Sequence, residues 1–199
     1  KGGGQRKYLY YEYYEGRRDD EGNTTYPENN TFLKAVNSEG EMIAVTTVRW
    51  KGVDFVRRGR TAYRERTMVN PELRGKKIGL ALGIKVLDDI FYRSEKYDGL
   101  PATEARSSSY IDRKADRHDI NHNYLTLLGF KKHGDPILVG GRMVQPYRLS
   151  LTDYEEARPE AIDHLRDIQP KMAEYFEKVW PELQEALSKK DLAYARNFS

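Results

Sequence analysis

Between residues 61 and 91 the hydrophobic pattern changes period, and this change constrains the fold more than any other feature of the chain. "TAYRERTMV" (61–69) alternates, so Thr61, Tyr63, Glu65, Thr67 and Val69 are expected on one face of a strand. Pro71 closes that strand. From Ile78 the spacing is helical: Ile78, Leu82, Val86 and Ile90 recur every fourth residue, with Leu80, Ile84, Leu87 and Phe91 beside them. A stripe this wide suits a helix laid flat on a sheet. The junction is "RGKKIG" (74–79), basic and glycine-containing. The free N–H groups of a first helical turn, the helix dipole and Arg74, Lys76 and Lys77 would together make an anion site. On its own the hexapeptide reads as readily as a charged helix cap.

The flanking sequence supplies the rest of a sheet. "TFLKAV" (31–36) and "MIAVTTVRW" (42–50) read as a hairpin across the turn "NSEGE". "LPATEARSSSY" (100–110) reads as a fourth strand and loop, and "RHDINHNYLTLL" (117–128) as a second helix with Gly129 as its C′ residue. "PILVG" (136–140) and "MVQPYRLSL" (143–151) form two further strands joined at Gly140–Gly141. Residues 152–198 carry two helical patterns split near Pro170, with Pro159 and Pro181 at first-turn positions or kinks. The stripe Met172, Phe176, Val179, Leu183 and Leu187 reads as cover for the domain, or as a surface for a homodimer through the C-terminal helices. "YLYYEYYE" (8–15) is aromatic and amphipathic, as strand or short helix, and 15–30 is a loop by composition. The expected organisation is a poorly defined segment 1–30, a domain 31–151 and a helical extension 152–199.

Bulk properties narrow the function. The chain of 199 residues has no cysteine, which excludes disulfides, thiolate metal sites and cysteine nucleophiles, and is compatible with a reducing cytoplasm. No apolar run reaches the 18 or so residues of a membrane span, and no signal peptide is visible. Residues 151–199 hold 7 Lys/Arg and 11 Asp/Glu, net −4, whereas residues 1–150 hold 27 and 20, net +7. A basic body suits an anionic ligand. The excess is modest for nucleic acid, for which "RRGRTAYRER" (57–66) is the best evidence.

"MVNPELRGKKIGLAL" (68–82) resembles the acyl-CoA-binding motif of the GNAT superfamily of N-acyltransferases, a strand followed by Arg/Gln-x-x-Gly-x-Gly/Ala opening a helix. Arg74, Gly75 and Gly79 match it, and Lys77 stands where glycine is usual. "NYLTLLGF" (123–130) is similar to the second signature of that family, about 45 residues on. The order of elements from 31 to 151 follows the family as well. The resemblance implies an α/β (α+β) fold: a mixed, mostly antiparallel twisted sheet with a V-shaped gap, flanked by helices. It implies acyl transfer, most simply of acetyl, from acetyl-CoA or another acyl-CoA to a primary amine, with no metal. The helix N-terminus with Arg74, Gly75, Lys76, Lys77, Ile78 and Gly79 would hold the CoA diphosphate. A backbone N–H near Met68 or Val69 would polarise the thioester carbonyl, and Asn121 or Asn123 would contact the CoA arm.

For chemistry, Glu65 is the candidate base, with Tyr63 on the same face to contact the acceptor. The family's usual tyrosine acid falls at Leu125 here; Tyr124, one residue earlier, is the candidate, with Ser107, Ser108, Ser109 and Tyr110 as other hydroxyl sources. The region 127–151 is somewhat similar to GNAT-fold synthases that take long acyl chains from acyl carrier protein. That makes such a donor an alternative, with Arg57, Arg58 and Arg60 as docking residues. A non-catalytic module that binds an acyl thioester or a partner is a second alternative. "HDINH" places His118 and His122 at zinc spacing, but the third ligand it needs is missing from the motif.

Overall fold

The structure is a computed structural model that describes residues 17–18, 24–25, 30–50, 60–93, 102–111 and 122–188. The aromatic segment 8–15, Arg57 and Arg58, His118 and Asn121 lie outside these residues, as do the side chains of Arg60 and Glu65. The strands are β1 (Arg17–Arg18), β2 (Thr24–Thr25), β3 (Asn30–Val36), β4 (Met42–Trp50), β5 (Arg60–Val69), β6 (Ala102–Tyr110), β7 (Lys131–Lys132), β8 (Ile137–Val139) and β9 (Arg142–Ser150). The helices are α1 (Ile78–Tyr92), α2 (described over 122–127), α3 (Leu151–Arg166) and α4 (Pro170–Ser188).

The main sheet runs β3-β4-β5-β6-β9-β7, with β8 also paired to β9. Every pairing in it is antiparallel except β5 with β6. The architecture is the mixed, mostly antiparallel sheet flanked by helices that the GNAT resemblance implies. One difference is local: the loop expected at 15–30 contains a minimal antiparallel ribbon, Arg17 opposite Thr25 and Arg18 opposite Thr24.

Each element has a visible local cause. Asn37 accepts from the N–H groups of Glu39 and Glu41 at 3.0 and 2.9 Å, which closes the β3–β4 turn. Gly129 has φ +90°. Its N–H bonds to Thr126 O and the Phe130 N–H to Leu125 O, the paired bonds of a Schellman cap. A side chain at Gly129 would also meet Asp153 O at 2.7 Å. Ser150 caps α3, accepting from Asp153 N–H at 3.1 Å and donating to its carboxylate at 2.8 Å. Burial pushes the Asp153 carboxyl up, but bonds from Lys131 and Ser150 hold it below the ordinary carboxylate range.

The core lies between the sheet and α1. Ile84, Val86, Leu87, Ile90 and Phe91 are fully buried with Ala62, Ala105, Tyr147 and Leu149. The C-terminal helices join the same core through Ala161, Ile162, Leu165, Ala173, Phe176, Leu183 and Leu187. The α4 stripe apart from the exposed Met172 is thus spent within the chain, and a homodimer through it has no support. Pro159 and Pro181 lie inside α3 and α4 rather than in first turns. Each deletes one helical hydrogen bond, at about 3 kcal/mol; tertiary burial outweighs that. The anchor is Arg158, the residue before Pro159. It is 3% exposed and bonds Asp88 of α1 at 2.8 and 2.9 Å and the Phe176 carbonyl at 2.9 Å, under the Trp180 ring.

Candidate acyl-donor site

β5 and β6 pair only from Arg60 opposite Ala102 to Tyr63 opposite Arg106. Beyond that point each keeps its outer partner: β5 follows β4 to Val69, and β6 follows β9 to Tyr110. Their facing edges are left open, and this is the V-shaped gap. Ser107 pins its base, donating to the Arg64 carbonyl at 3.1 Å. Ser109 is buried, and its hydroxyl has no partner among the described residues. Ser108 and Tyr110 are exposed, the latter beneath Arg142.

The side-chain alternation expected across 61–69 breaks at a β-bulge. Val48 pairs with Arg64 and Thr46 with Thr67, so Glu65 and Arg66 together oppose Thr47. Arg64 and Thr67 therefore share a face and are hydrogen-bonded, and the expected grouping of Tyr63 with Thr67 and Val69 does not hold. The bulge also decides which backbone groups face the gap. Asn70 N–H bonds to Ile43 O at 2.9 Å. Alternation along an antiparallel ladder then turns the main-chain groups of Met68 toward β4 and those of Thr67 and Val69 toward the gap. The Met68 side chain packs with Met42 and Val45 in a separate small cluster. Of the two expected donors, Val69 is the one whose N–H faces the gap.

After Val69 the chain makes a 3₁₀ turn, Pro71–Leu73, capped by Asn70 Oδ1, and enters the 74–79 loop. Gly75 has φ +82°. Lys77 has φ 55° and ψ 18°, the left-handed region, which costs a non-glycine residue about 1–2 kcal/mol. The slot where the family motif has glycine is thus a glycine conformation filled by lysine. The Lys77 ammonium turns away, to the His164 carbonyl and, at 2.6 Å, Asp167. Its bond holds the exposed Asp167 carboxyl below its ordinary range. The first intrahelical bond is Ala81 N–H to Lys77 O, so the N–H groups of Ile78, Gly79 and Leu80 have no helical acceptor. A groove of about 750 Å³ opens at this point, walled by Val69, the loop, Asn123, Tyr124 and Leu127 of α2, and Glu160 and His164 of α3. Arg74, Gly75, Lys77, Ile78 and Gly79 line it; Lys76 is exposed outside it.

Tyr124 lines the groove and donates to the Gly79 carbonyl at 2.8 Å. Arg64 donates to the same phenol oxygen at 3.0 Å, with its guanidinium 4.9 Å from the ring centre. Arg64 is 6% exposed, and no carboxylate among the described residues pairs with it. Gly83 makes room for the phenol: a Cβ there would lie 2.2 Å from the Tyr124 hydroxyl. Arg64 and Gly83 escaped the sequence reading, though a second glycine inside so apolar a helix was the available signal. Glu160, His164, Asp167 and Gln169 carry no local motif. His122 is bonded through Nδ1 to the Tyr147 hydroxyl at 2.8 Å. Among the described residues no cluster of His, Cys, Asp or Glu is arranged to hold a metal.

No protein-family model and no curated protein matches the sequence. Several solved structures align with it. A chimera of the Vibrio cholerae spermidine N-acetyltransferase SpeG with hSSAT is 12% identical, over 64% of this chain and 70% of that one, with a TM-score of 0.48. The NatC complex bound to Gag peptide and CoA aligns at 14% identity over 60% of this chain and 70% of that one, TM-score 0.47. A GNAT-family acetyltransferase from Desulfovibrio desulfuricans aligns at 16% over 61% and 69%, TM-score 0.46. At these identities and scores the likenesses carry no weight for the activity of this chain.

Proposed function

We propose that the chain is a GNAT-type N-acyltransferase that moves an acyl group, most simply acetyl, from a CoA thioester to a primary amine. One observation carries the reading: a parallel strand pair parts at Tyr63/Arg106, and the basic N-terminal loop of α1 and its groove lie at the end of the freed strand β5. An open strand edge can take an extended ligand as an added strand, and a helix N-terminus beside it suits the diphosphate that such a ligand carries. The loop residues fit that group. The N–H groups of the first turn of α1 lack helical acceptors, Gly75 is open around its Cα, and Arg74 is exposed at the rim.

In this reading the N–H groups at Gly75–Leu80 hold the diphosphate, and Arg74 adds charge at the rim. Lys77 acts through its backbone, because its ammonium is committed to α3. The Val69 N–H, facing the gap, donates to the thioester carbonyl as it gains negative charge. The amine attacks that carbon and the C–S bond breaks, leaving amide and thiolate. Tyr124 swings its O–H from the Gly79 carbonyl to the thiolate, and Arg64 already donates to the oxygen left behind. Glu65, in the bulge, accepts the proton that the amine loses. Holding amine and thioester together can supply roughly 7–11 kcal/mol of the barrier reduction. We place the protein in the cytoplasm, in keeping with its lack of cysteine. None of the described helices is long and apolar enough to cross a membrane.

The test is an acetyl-CoA assay with thiol detection across an amine panel: an amino acid, a peptide N-terminus, a lysine peptide, a polyamine and an aminoglycoside. Amine-dependent thiol release supports the reading. CoA binding without release on any amine favours a non-catalytic binding module, and no CoA binding removes the donor assignment.

A further inference from the structure

The loop that would hold the donor is tied to residues 90 and 93 positions away. We propose that Asp167 and Gln169, in the elbow between α3 and α4, form a strap that holds the 75–79 loop in its anion-binding shape. This rests on the function proposed above. Lys77 sits in a conformation unfavourable to lysine, and no side chain caps the helix it begins. What it has instead is the elbow. Its ammonium bonds Asp167 at 2.6 Å and the His164 carbonyl, one of the four at the end of α3 that no helical N–H reaches. Gln169 Nε2 donates to the Lys76 carbonyl at 2.9 Å. That bond matters for an anion site, because a carbonyl oxygen turned into the groove would repel phosphate. Held by Gln169, it is turned to the elbow, which leaves the groove to N–H groups.

The elbow is rigid enough to do this. The Gln169 N–H bonds back to Leu165 O at 2.8 Å, and its carbonyl accepts from Met172 and Ala173 at the start of α4. Both helices are anchored to α1 through Arg158, Asp88 and the Phe176 carbonyl. His164 and Glu160, one and two turns up α3, form part of the groove wall. The C-terminal helices are therefore part of the donor site, which is incomplete without them. Asp167 and Gln169 act through the loop and are positioning residues.

The experiment compares wild type with D167A, Q169A, the double variant and D167E in two measurements. The first, on ligand-free protein, is NMR hydrogen exchange at Ala81, whose bond to Lys77 O closes the first turn of α1. The second is calorimetric titration with CoA, alongside kcat at saturating acetyl-CoA. Expected for the double variant are Ala81 exchange and a CoA Kd each raised about tenfold, with kcat unchanged and D167E close to wild type. A merely structural role would lower the melting temperature and leave CoA affinity alone, and that result overturns the proposal. So does Ala81 exchange equal to wild type. Faster Ala81 exchange in a protein that binds no CoA, wild type included, supports the strap and overturns the donor reading instead.

Discussion

Replacing Arg158 by Met isolates what holds the C-terminal helices, and so the groove wall, in place. The guanidinium makes two bonds to Asp88 and one to the Phe176 carbonyl, all between buried partners. Met keeps much of the aliphatic stem, so little packing is lost. What remains is a carboxylate 2% exposed, with the Tyr154 hydroxyl at 2.7 Å as its one remaining side-chain partner among the described residues. Removing one member of such a pair costs about 3–5 kcal/mol. At roughly 2–4 °C per kcal/mol for a chain this size, the melting temperature falls by about 10 °C.

The effect depends on pH with a definite sign. Burial already pushes the Asp88 carboxyl above its ordinary range, against the pull of Arg158 and Tyr154. Without Arg158 it rises further. A carboxyl whose folded pKa is raised binds its proton more tightly when folded, so the cost is full above that pKa and shrinks as the pH falls through it toward the ordinary carboxylate value. Urea unfolding at pH 7.5 and 5.5 measures this, with D88N R158M as the control that removes both charges. A loss below about 1 kcal/mol at pH 7.5, or no recovery in the double variant, would refute the buried-pair reasoning.

Gly83→Ala places a methyl against the Tyr124 phenol and should cost a net 1–2 kcal/mol or so, overpacking outweighing the better helix propensity of alanine; the cost should shrink in a Y124F background, as urea unfolding would show. Tyr124→Phe should lower kcat about tenfold or more with donor KM little changed, and an unaltered kcat would leave Tyr124 as a packing residue. Glu65→Gln should flatten the rising limb of the pH–rate profile; an unchanged profile removes Glu65 as the base. Ser150→Ala should cost about 1 kcal/mol by loss of the α3 cap, read by thermal melting. Asp153 has a depressed pKa, so its contribution is present above the ordinary carboxylate value of 3.8 and lost as the pH falls through its own; K131A should weaken that acid sensitivity.

Strands β3 to β6, β8 and β9, α1 and the Gly129 cap were legible because each is written locally, in period-2 runs, an every-fourth apolar stripe and a glycine after the last helical turn; the two-residue strands β1, β2 and β7 carry no such pattern. The bulge at Glu65 and Arg66 was not, because it exists only in register with β4. It reversed the expected face of Thr67 and Val69 and narrowed the candidate N–H from Met68 or Val69 to Val69. The loop was legible as a basic turn, but the role of Lys77 was not. Its charge serves the end of α3, set by a fold that brings Asp167 beside it. Pro159 and Pro181 read as first-turn positions or kinks because proline costs a helix locally. Burial of Arg158, Phe176 and Leu183 around them is a tertiary gain that no local pattern records. Arg64 showed only as one of several arginines in a basic stretch until the fold buried it against Tyr124.

The central claim is that a CoA thioester lies along the open edge of β5 with its diphosphate on the first turn of α1. Titration of ¹⁵N-labelled protein with CoA tests it most directly. The largest amide shifts should fall on Gly75 through Leu80 and on Val69, with Met68 little affected. Saturable binding that leaves those amides unmoved, or no binding at millimolar CoA, would contradict it.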